Sequence, residues 1–379
     1  MTNLLGVYLT LLVGPNVPVP APPTLLEALQ EIEVQHDEAQ ASTFQMTFHV
    51  GRSSPLDLVD FTLVANPLLL KPWNRVVILV TLGIVPQVLM DGFITHQQLA
   101  PGNEPGTSTL TVTGEDATVR MDMVEVPVEH AGLSENLIAS KLLAPYAKYG
   151  VVADVKAPPT VDTPSPNDRT PVQLGSDLAY LRAMARRFGF VFYVTPGPAP
   201  GTSTAYWGPQ KRSTASQGTL SYNLGHATNV ERLDFSYSAL RPVRIKGQVQ
   251  DRSTNQVQQV DTQQSERTAL ASQPAGNAPD VRQVQFHGTG FNTEQATARA
   301  QGRTDAASDA VEGHGELDAL RYGAILEARR RVDVRGVGQS YDGQYYVKSV
   351  THRLRIGSYT QSFVLSRDGV GSLISKAHG

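Results

Sequence analysis

Cysteine is absent from the 379 residues, which excludes disulfides, thiolate catalysis and every zinc site built with sulfur, and suits a reducing cytoplasm. A strong charge bias is missing too: 32 Lys and Arg against 35 Asp and Glu leave a net charge of −3. No global basic field points to nucleic acid, and no acidic tail points to a charge-driven partner. Nor is there an apolar run long enough to span a bilayer. The best candidate, Leu4 to Val13, is about half the required length, lacks a preceding Lys or Arg and is followed by no A-x-A-like cleavage site, so it reads as a buried N-terminal strand rather than a signal peptide. Finally, G-x-S-x-G, Walker A, H-E-x-x-H and G-x-G-x-x-G are all absent, which removes the usual catalytic and cofactor-binding signatures.

What is present is mostly strand pattern. The hydrophobic share of 40% is enough to bury cores in two to four compact units. "STFQMTFHV", "RVVILVTLGIV", "QVLMDGFITHQQL" and "STLTVTGEDATVRM" follow one another as short strands of a sandwich or barrel. From Ser134 the period becomes helical, although Pro145 should end that helix. "SDLAYLRAMARRFG" (176–189) is the clearest helix, with Leu178, Leu181, Ala185 and Phe188 as its stripe and Gly189 as its stop. A polar stretch from Ser253 to Asp280 reads as a mobile loop or a partner-ordered insertion. An Ala-rich helix capped by Thr293 follows it. "PGNEPGTST" (101–109) and "PGPAPGTST" (196–204) share seven of nine positions, which we read as recurrent turn chemistry rather than duplication.

The C-terminal "DGQYYVKSVTHRLRIGSYTQSFVLSRDG" reads as a hairpin. Val350, His352, Leu354 and Ile356 share one face of its first strand; Tyr359, Gln361, Phe363 and Leu365 share one face of the second. The run Arg329, Arg330, Arg331 and Arg335, taken with Arg353 and Arg355, either lines one cationic face for a partner or simply solvates a sheet. The histidines are scattered, so a metal site would need distant segments to converge; His96 and His352 read as hydrogen-bonded structural residues. "HDE" at 36–38 reads as a turn. Glu115, Asp116 and Asp122 are the carboxylates to test for a hydrolase.

Three stretches carry a family likeness: "VLMDGFITHQQL" with "STLTVTGED"; "SENLIASKLLAPYAKYG" leading to "VQLGSDLAYLRAMARRFGFVFYV"; and the C-terminal hairpin. In order and spacing the chain resembles the phage late control protein D family, the baseplate hubs of contractile tails, whose unit is shared with the front part of type VI secretion VgrG spike proteins. The resemblance implies a mainly β fold with α+β insertions, in which two β-barrel domains form a trimeric ring with pseudo-sixfold symmetry. It implies a first barrel over 1–130, an α/β insertion over 131–220, a second barrel over 221–252 and 315–370, a polar loop and helix over 253–314, and a short tail over 371–379. It implies a structural, non-enzymatic hub without cofactor or metal, adapting the sixfold inner tube to a threefold spike. The expected partners are a second and third copy of the chain, a separate spike protein, the inner tube protein, and the tape measure and wedge proteins; neither a membrane span nor nucleic acid is expected. Assembly would occur in the cytoplasm, before incorporation into a tail or injection particle. Arg329, Arg330, Arg331, Tyr345, Tyr346, Arg353 and Arg355 are the candidate contacts of the ring or tube. The alternative reading is a β-rich carbohydrate-binding or adhesion protein, with a peptidoglycan hydrolase as third.

Overall fold

A computed structural model of the chain describes residues 2–3, 6–15, 17–50, 69–104, 107–166 and 169–373. Its dominant element is one fourteen-stranded sheet. In the N-terminal part, Val7–Gly14, Arg75–Leu82, Val85–Ala100, Thr109–Asp116, Thr43–His49 and Leu29–Asp37 lie side by side in that order, all antiparallel. In the C-terminal part, Gly343–Arg355, Ser358–Arg367, Val311–Asp318 and Arg232–Tyr237 follow one another, also antiparallel. Alternation explains both. Thr43–His49 buries Phe44, Met46 and Phe48 and turns Gln45 and His49 outward, because successive side chains leave opposite faces of a strand.

The two parts are joined by Gly343–Arg355. At 13 residues it is about 43 Å long, enough to serve two neighbours along one edge. Its first residues pair with Arg331–Arg335, whose other edge takes Thr219–Ser221 in parallel. After a register shift between Val347 and Ser349, the remainder pairs with Leu29–Asp37, from Ser349 opposite Asp37 to Arg355 opposite Glu31. The hairpin is therefore shared. Tyr345, Val347, Val350, Phe363 and Leu365 sit in the C-terminal core, while Leu354 and Tyr359 sit in the N-terminal core with Ile32, Val34 and Met46. Ile356 departs from the expected face: it lies in the turn and is 77% exposed.

A third core belongs to the inserted α/β unit. Val151–Val155, Ser203–Gly208 and Val191–Pro196 form a three-stranded sheet. The helices Glu135–Leu143 and Asp177–Arg187 cover it, burying Leu178, Leu181, Met184 and Trp207. Ser176 accepts from the Ala179 N–H at 3.2 Å as N-cap, and Arg186 and Arg187 close the last turn, as the helix dipole favours. Trp207 buries its indole and donates to the Leu181 carbonyl at 3.1 Å.

The expected boundaries shift at the fourth core. Val243–Gln250, assigned above to the second barrel, is instead the middle strand of a separate small sheet between Val257–Asp261 and Arg282–Gln285. The helix Thr293–Ala306 covers it, with Ile245, Val249, Val260, Phe286, Ala296 and Ala300 inside. Alanines at 296 and 300 let the helix approach closely, which is why a thin stripe suffices. That helix is capped by Asn292 in a reciprocal box with Gln295, not by Thr293. The polar stretch expected to be mobile supplies the strand Val257–Asp261 and buries Leu270 and Ala271. The repeated Pro/Gly stretch is shared turn chemistry: Thr107 and Thr202 each donate N–H and hydroxyl to the carbonyl three residues back, and each precedes the second strand of a hairpin.

Candidate functional site: the junction of the units

Arg329 stands where three of these units meet. Its backbone is left-handed, with φ of 66°, and its side chain is buried. Nε and Nη2 donate to the Asp37 carbonyl at 3.0 and 2.6 Å, and Nη2 donates to Ser42 Oγ at 3.1 Å, in the N-terminal part of the sheet. Nη1 donates to the Val194 carbonyl at 2.8 Å and to Thr195 Oγ at 3.3 Å, in the α/β unit. The guanidinium carbon lies 4.2 Å from the centre of the Tyr193 ring, a cation–π distance. The Arg329 N–H itself donates to the Val347 carbonyl of the C-terminal part at 2.7 Å. Among the described residues no carboxylate pairs with it; Asp116, whose oxygens take the Ser42 and Thr118 N–H groups, lies behind Ser42. One planar fork with five donors ties two units together while the backbone N–H of the same residue is held by the third, and Lys could not supply that fork.

The other sequence candidates scatter. Arg331 pairs with Tyr346 in the ladder, so it is seven residues, or about 23 Å, from Arg353 along the same strand. The arginines therefore do not form one cationic face. Arg330 pairs with Glu327 at 2.8 Å and Arg331 donates to Gln344 at 3.2 Å. Arg353 and Arg355 flank the joining ladder on its solvent side, where Arg353 meets Glu33 at 3.0 Å and Arg355 meets Glu31 at 3.0 Å. Tyr345 and Tyr346, offered as contact residues, have no exposed surface. Tyr345 lies under the Arg367 guanidinium, 4.4 Å from its ring centre, and donates to the Tyr341 carbonyl at 2.7 Å.

Two histidines line the same junction. His36 and His352 come from the paired strands Leu29–Asp37 and Gly343–Arg355, and their rings meet edge to face with centres 5.4 Å apart. Ser42 Oγ is 3.2 Å from His36 Nδ1. Gln361 Nε2, which can only donate, lies 3.1 Å from His352 Nδ1, so that nitrogen accepts and the proton sits on Nε2; Tyr359 Oη is 2.9 Å away. Burial, reinforced by Arg329, lowers the His36 pKa to about 3, and burial with His36 nearby holds His352 well below its ordinary value. Both rings are neutral at pH 7. They border a cleft of about 490 Å³ with Tyr206, Lys211 and Arg329 on its walls. His96, expected to be a structural partner, is exposed.

The carboxylates singled out for hydrolysis have structural partners. Asp116 caps the short helix Ala117–Met121, and Asp122 accepts from Ser176 Oγ. Burial, and then the charge of Asp116, raise the Glu115 pKa. Asp37 caps the turn through the Ala39 and Gln40 N–H groups, and Glu38 is buried against Gln210. Among the described residues there is no cluster of three or more His, Asp or Glu that could hold a metal.

The sequence reading missed the buried ion pairs. Arg75 and Asp91 meet at 2.6 and 3.1 Å, and Asp91 also accepts from the Gly201 N–H, tying the N-terminal sheet to the α/β unit. Arg212 and Asp309 meet at 2.5 Å with Ser366 donating to the same carboxylate. Arg367 donates to the carbonyls of Ser340, Asp342 and Gly369. Arg367 had a signal: it is in phase with Tyr359, Gln361, Phe363 and Leu365, on the buried face. For Arg75, Arg212 and Asp309 no local pattern separates them from surface charges.

No protein-family model matches the sequence, and no curated protein does either. Solved structures match over nearly the whole chain. A tail protein from Neisseria meningitidis superposes with a TM-score of 0.65 at 15% identity, covering 97% of this chain and 98% of its own. The 43 kDa tail protein of a Shewanella oneidensis prophage gives 0.62 at 12% identity over 96% and 99%. An Escherichia coli component of the type VI secretion system, itself described as similar to bacteriophage T4 tail proteins, gives 0.56 at 10% identity over 89% and 73%. The chain thus has the mainly β fold that phage tail proteins share with type VI secretion proteins.

Proposed function

We propose that this protein is a structural baseplate hub of a contractile tail or injection system, acting as a homotrimer that adapts a sixfold inner tube to a threefold spike. The observation that carries this reading is the paired build of the sheet: two strand-rich parts with separate cores, held in one continuous ladder by Gly343–Arg355 and locked by Arg329. Three copies of such a chain would present six strand-rich parts in a ring, the match of symmetries that the role requires. The fold's occurrence in tail proteins over full length supports it. In this reading the buried histidines belong to the junction and the buried carboxylates are cap and ion-pair partners, so the role is one of geometry.

Exposed apolar residues give the ring something to bury. Met123, Val124 and Val126 lie beside Val172 and Leu174, where His130 and the Val128–Glu129 strand pair back to 171–173. Such patches mark contact surfaces. The partners in this reading are the chain itself, a separate spike, the inner tube and neighbouring baseplate proteins, joined during assembly in the cytoplasm. The test is the mass in solution by light scattering across concentrations, alone and with a candidate spike protein. A species near three times 41.0 kDa supports the ring; a monomer under both conditions overturns it.

A further inference from the structure

A second pocket lies away from the junction, between the end of the C-terminal hairpin and the segment that connects Val257–Asp261 to Arg282–Gln285 of the small unit. Its volume is about 310 Å³, and Arg212, Ser265, Arg267, Asn277, Ser308 and Asp368 border it. Arg212 has only 2% of its side chain exposed. Its Nη2 meets both oxygens of Asp309 and its Nε donates to Gln210 Oε1 at 2.8 Å, but its Nη1 has no hydrogen-bond partner. Leaving a charged donor unpaired inside a protein is costly.

Arg267 borders the same pocket and donates through Nη2 to the Gly189 carbonyl at 2.8 Å. Burial, and then the charge of Arg212, hold its guanidinium below the usual pKa. Asp309 is committed to Arg212 and Ser366. Asp368 spends Oδ1 on the N–H groups of Leu270 and Ala271, and burial raises its pKa, so it is the carboxylate of the group readiest to become neutral. Two guanidiniums therefore border one polar pocket, and one of their donors, Arg212 Nη1, is buried without an acceptor.

We propose that this pocket binds a small oxyanion, a phosphate or a carboxylate, held between Arg212 and Arg267. Forked N–H groups match the paired oxygens of such ions, and the volume leaves room for the hydration the ion keeps. The site joins the C-terminal part, through Arg212 and Asp368, to the segment 264–277, so an anion there would also clamp that segment.

Thermal unfolding of the full chain tests the assignment in inorganic phosphate, acetate and chloride at matched ionic strength. A tenfold excess of a specific ion over its Kd should raise Tm by about 2 °C relative to chloride. A rise with phosphate alone identifies a phosphoryl ligand, and a rise with acetate as well identifies a carboxylate, such as an acidic side chain. Arg267→Ala should remove the difference between salts, and Arg267→Lys should keep part of it. Equal Tm in all three salts, or an unchanged difference in folded Arg267→Ala, would overturn the proposal. Should Arg267→Ala not fold, calorimetric titration of the unaltered protein with phosphate and acetate decides: saturable heat from either supports the site, and its absence from both sinks it.

Discussion

Arg329 and the pair Arg353 and Arg355 bind the same two parts of the sheet together, one from inside and the other from outside. Arg329 is 4% exposed and gives every donor to a carbonyl, a hydroxyl or a ring. Arg353 and Arg355 have side chains 46% and 61% exposed and give theirs to Glu31 and Glu33. Formal pairing is better outside, where charge meets charge, but the energetic weight lies inside. Water screens the outer pairs and can replace each partner; the Val194 carbonyl, in a fully buried residue, has no such ready substitute for Arg329 Nη1.

The largest effect should follow loss of that buried fork. Arg329→Ala would strand the Asp37 and Val194 carbonyls and leave a hole beside Tyr193, at a cost of about 3 kcal/mol or more in urea unfolding. Arg329→Gly sharpens the point, because glycine alone would relieve the φ of 66° and gain about 1 kcal/mol if only the backbone mattered. We expect Arg329→Gly to destabilise nearly as much as Arg329→Ala. A neutral or stabilising Gly variant would show that the backbone, not the guanidinium, defines the node. Cutting the Arg212–Asp309 pair by Asp309→Asn should cost a similar amount, about 3–5 kcal/mol, since it leaves Arg212 buried without a counterion.

How much of this was legible in the sequence depends on which residues carried it. Alternation exposed the faces of the closing hairpin from Val350 to Leu354 and from Tyr359 to Leu365, though not Ile356 in its turn, because one-sided burial writes a period of two into the chain. The Ser176-capped helix was legible for the same reason of local chemistry. The separate small unit was not: Val243–Gln250 reads as a strand wherever it pairs, and only its pairing with Val257–Asp261 and Arg282–Gln285 reveals its neighbours. Arg329 was invisible as a node because it sits in an arginine run, where a buried member has the same letters around it as solvated ones. Its partners lie 134 and 292 residues away, beyond any local pattern.

The histidine pair should come next in size, and it acts with a definite sign. The folded-state pKa of His36 is near 3 against an ordinary 6.5, and His352 shifts the same way, so the unfolded chain takes up protons first. Stability is therefore complete above pH 6.5 and is lost as the pH falls from 6.5 toward 3. Between pH 6.5 and 5 most carboxylates remain ionised, which isolates the histidines. Urea midpoints across that window should fall in the native protein and fall less in His36→Gln. An unchanged slope in His36→Gln would mean that the ring is hydrated or charged in the folded state, and that the junction is wetter inside than Arg329's partners imply.

The smallest effect belongs to the outer pairs, and it is the sharpest test of the comparison. A double-mutant cycle on Arg355 and Glu31 (Arg355→Ala, Glu31→Ala and both) removes an ion pair at 3.0 Å without touching the ladder beneath, whose hydrogen bonds are between backbones. Each charge is already solvated on one side, and each long side chain gives up freedom to hold the pair. The coupling should be below about 1 kcal/mol and should shrink further in molar salt, where the screening length drops to about 3 Å. A coupling of about 2 kcal/mol that survives salt would reverse the argument: the two parts would then be fastened from outside, and Arg329 would fill space at the junction rather than hold it.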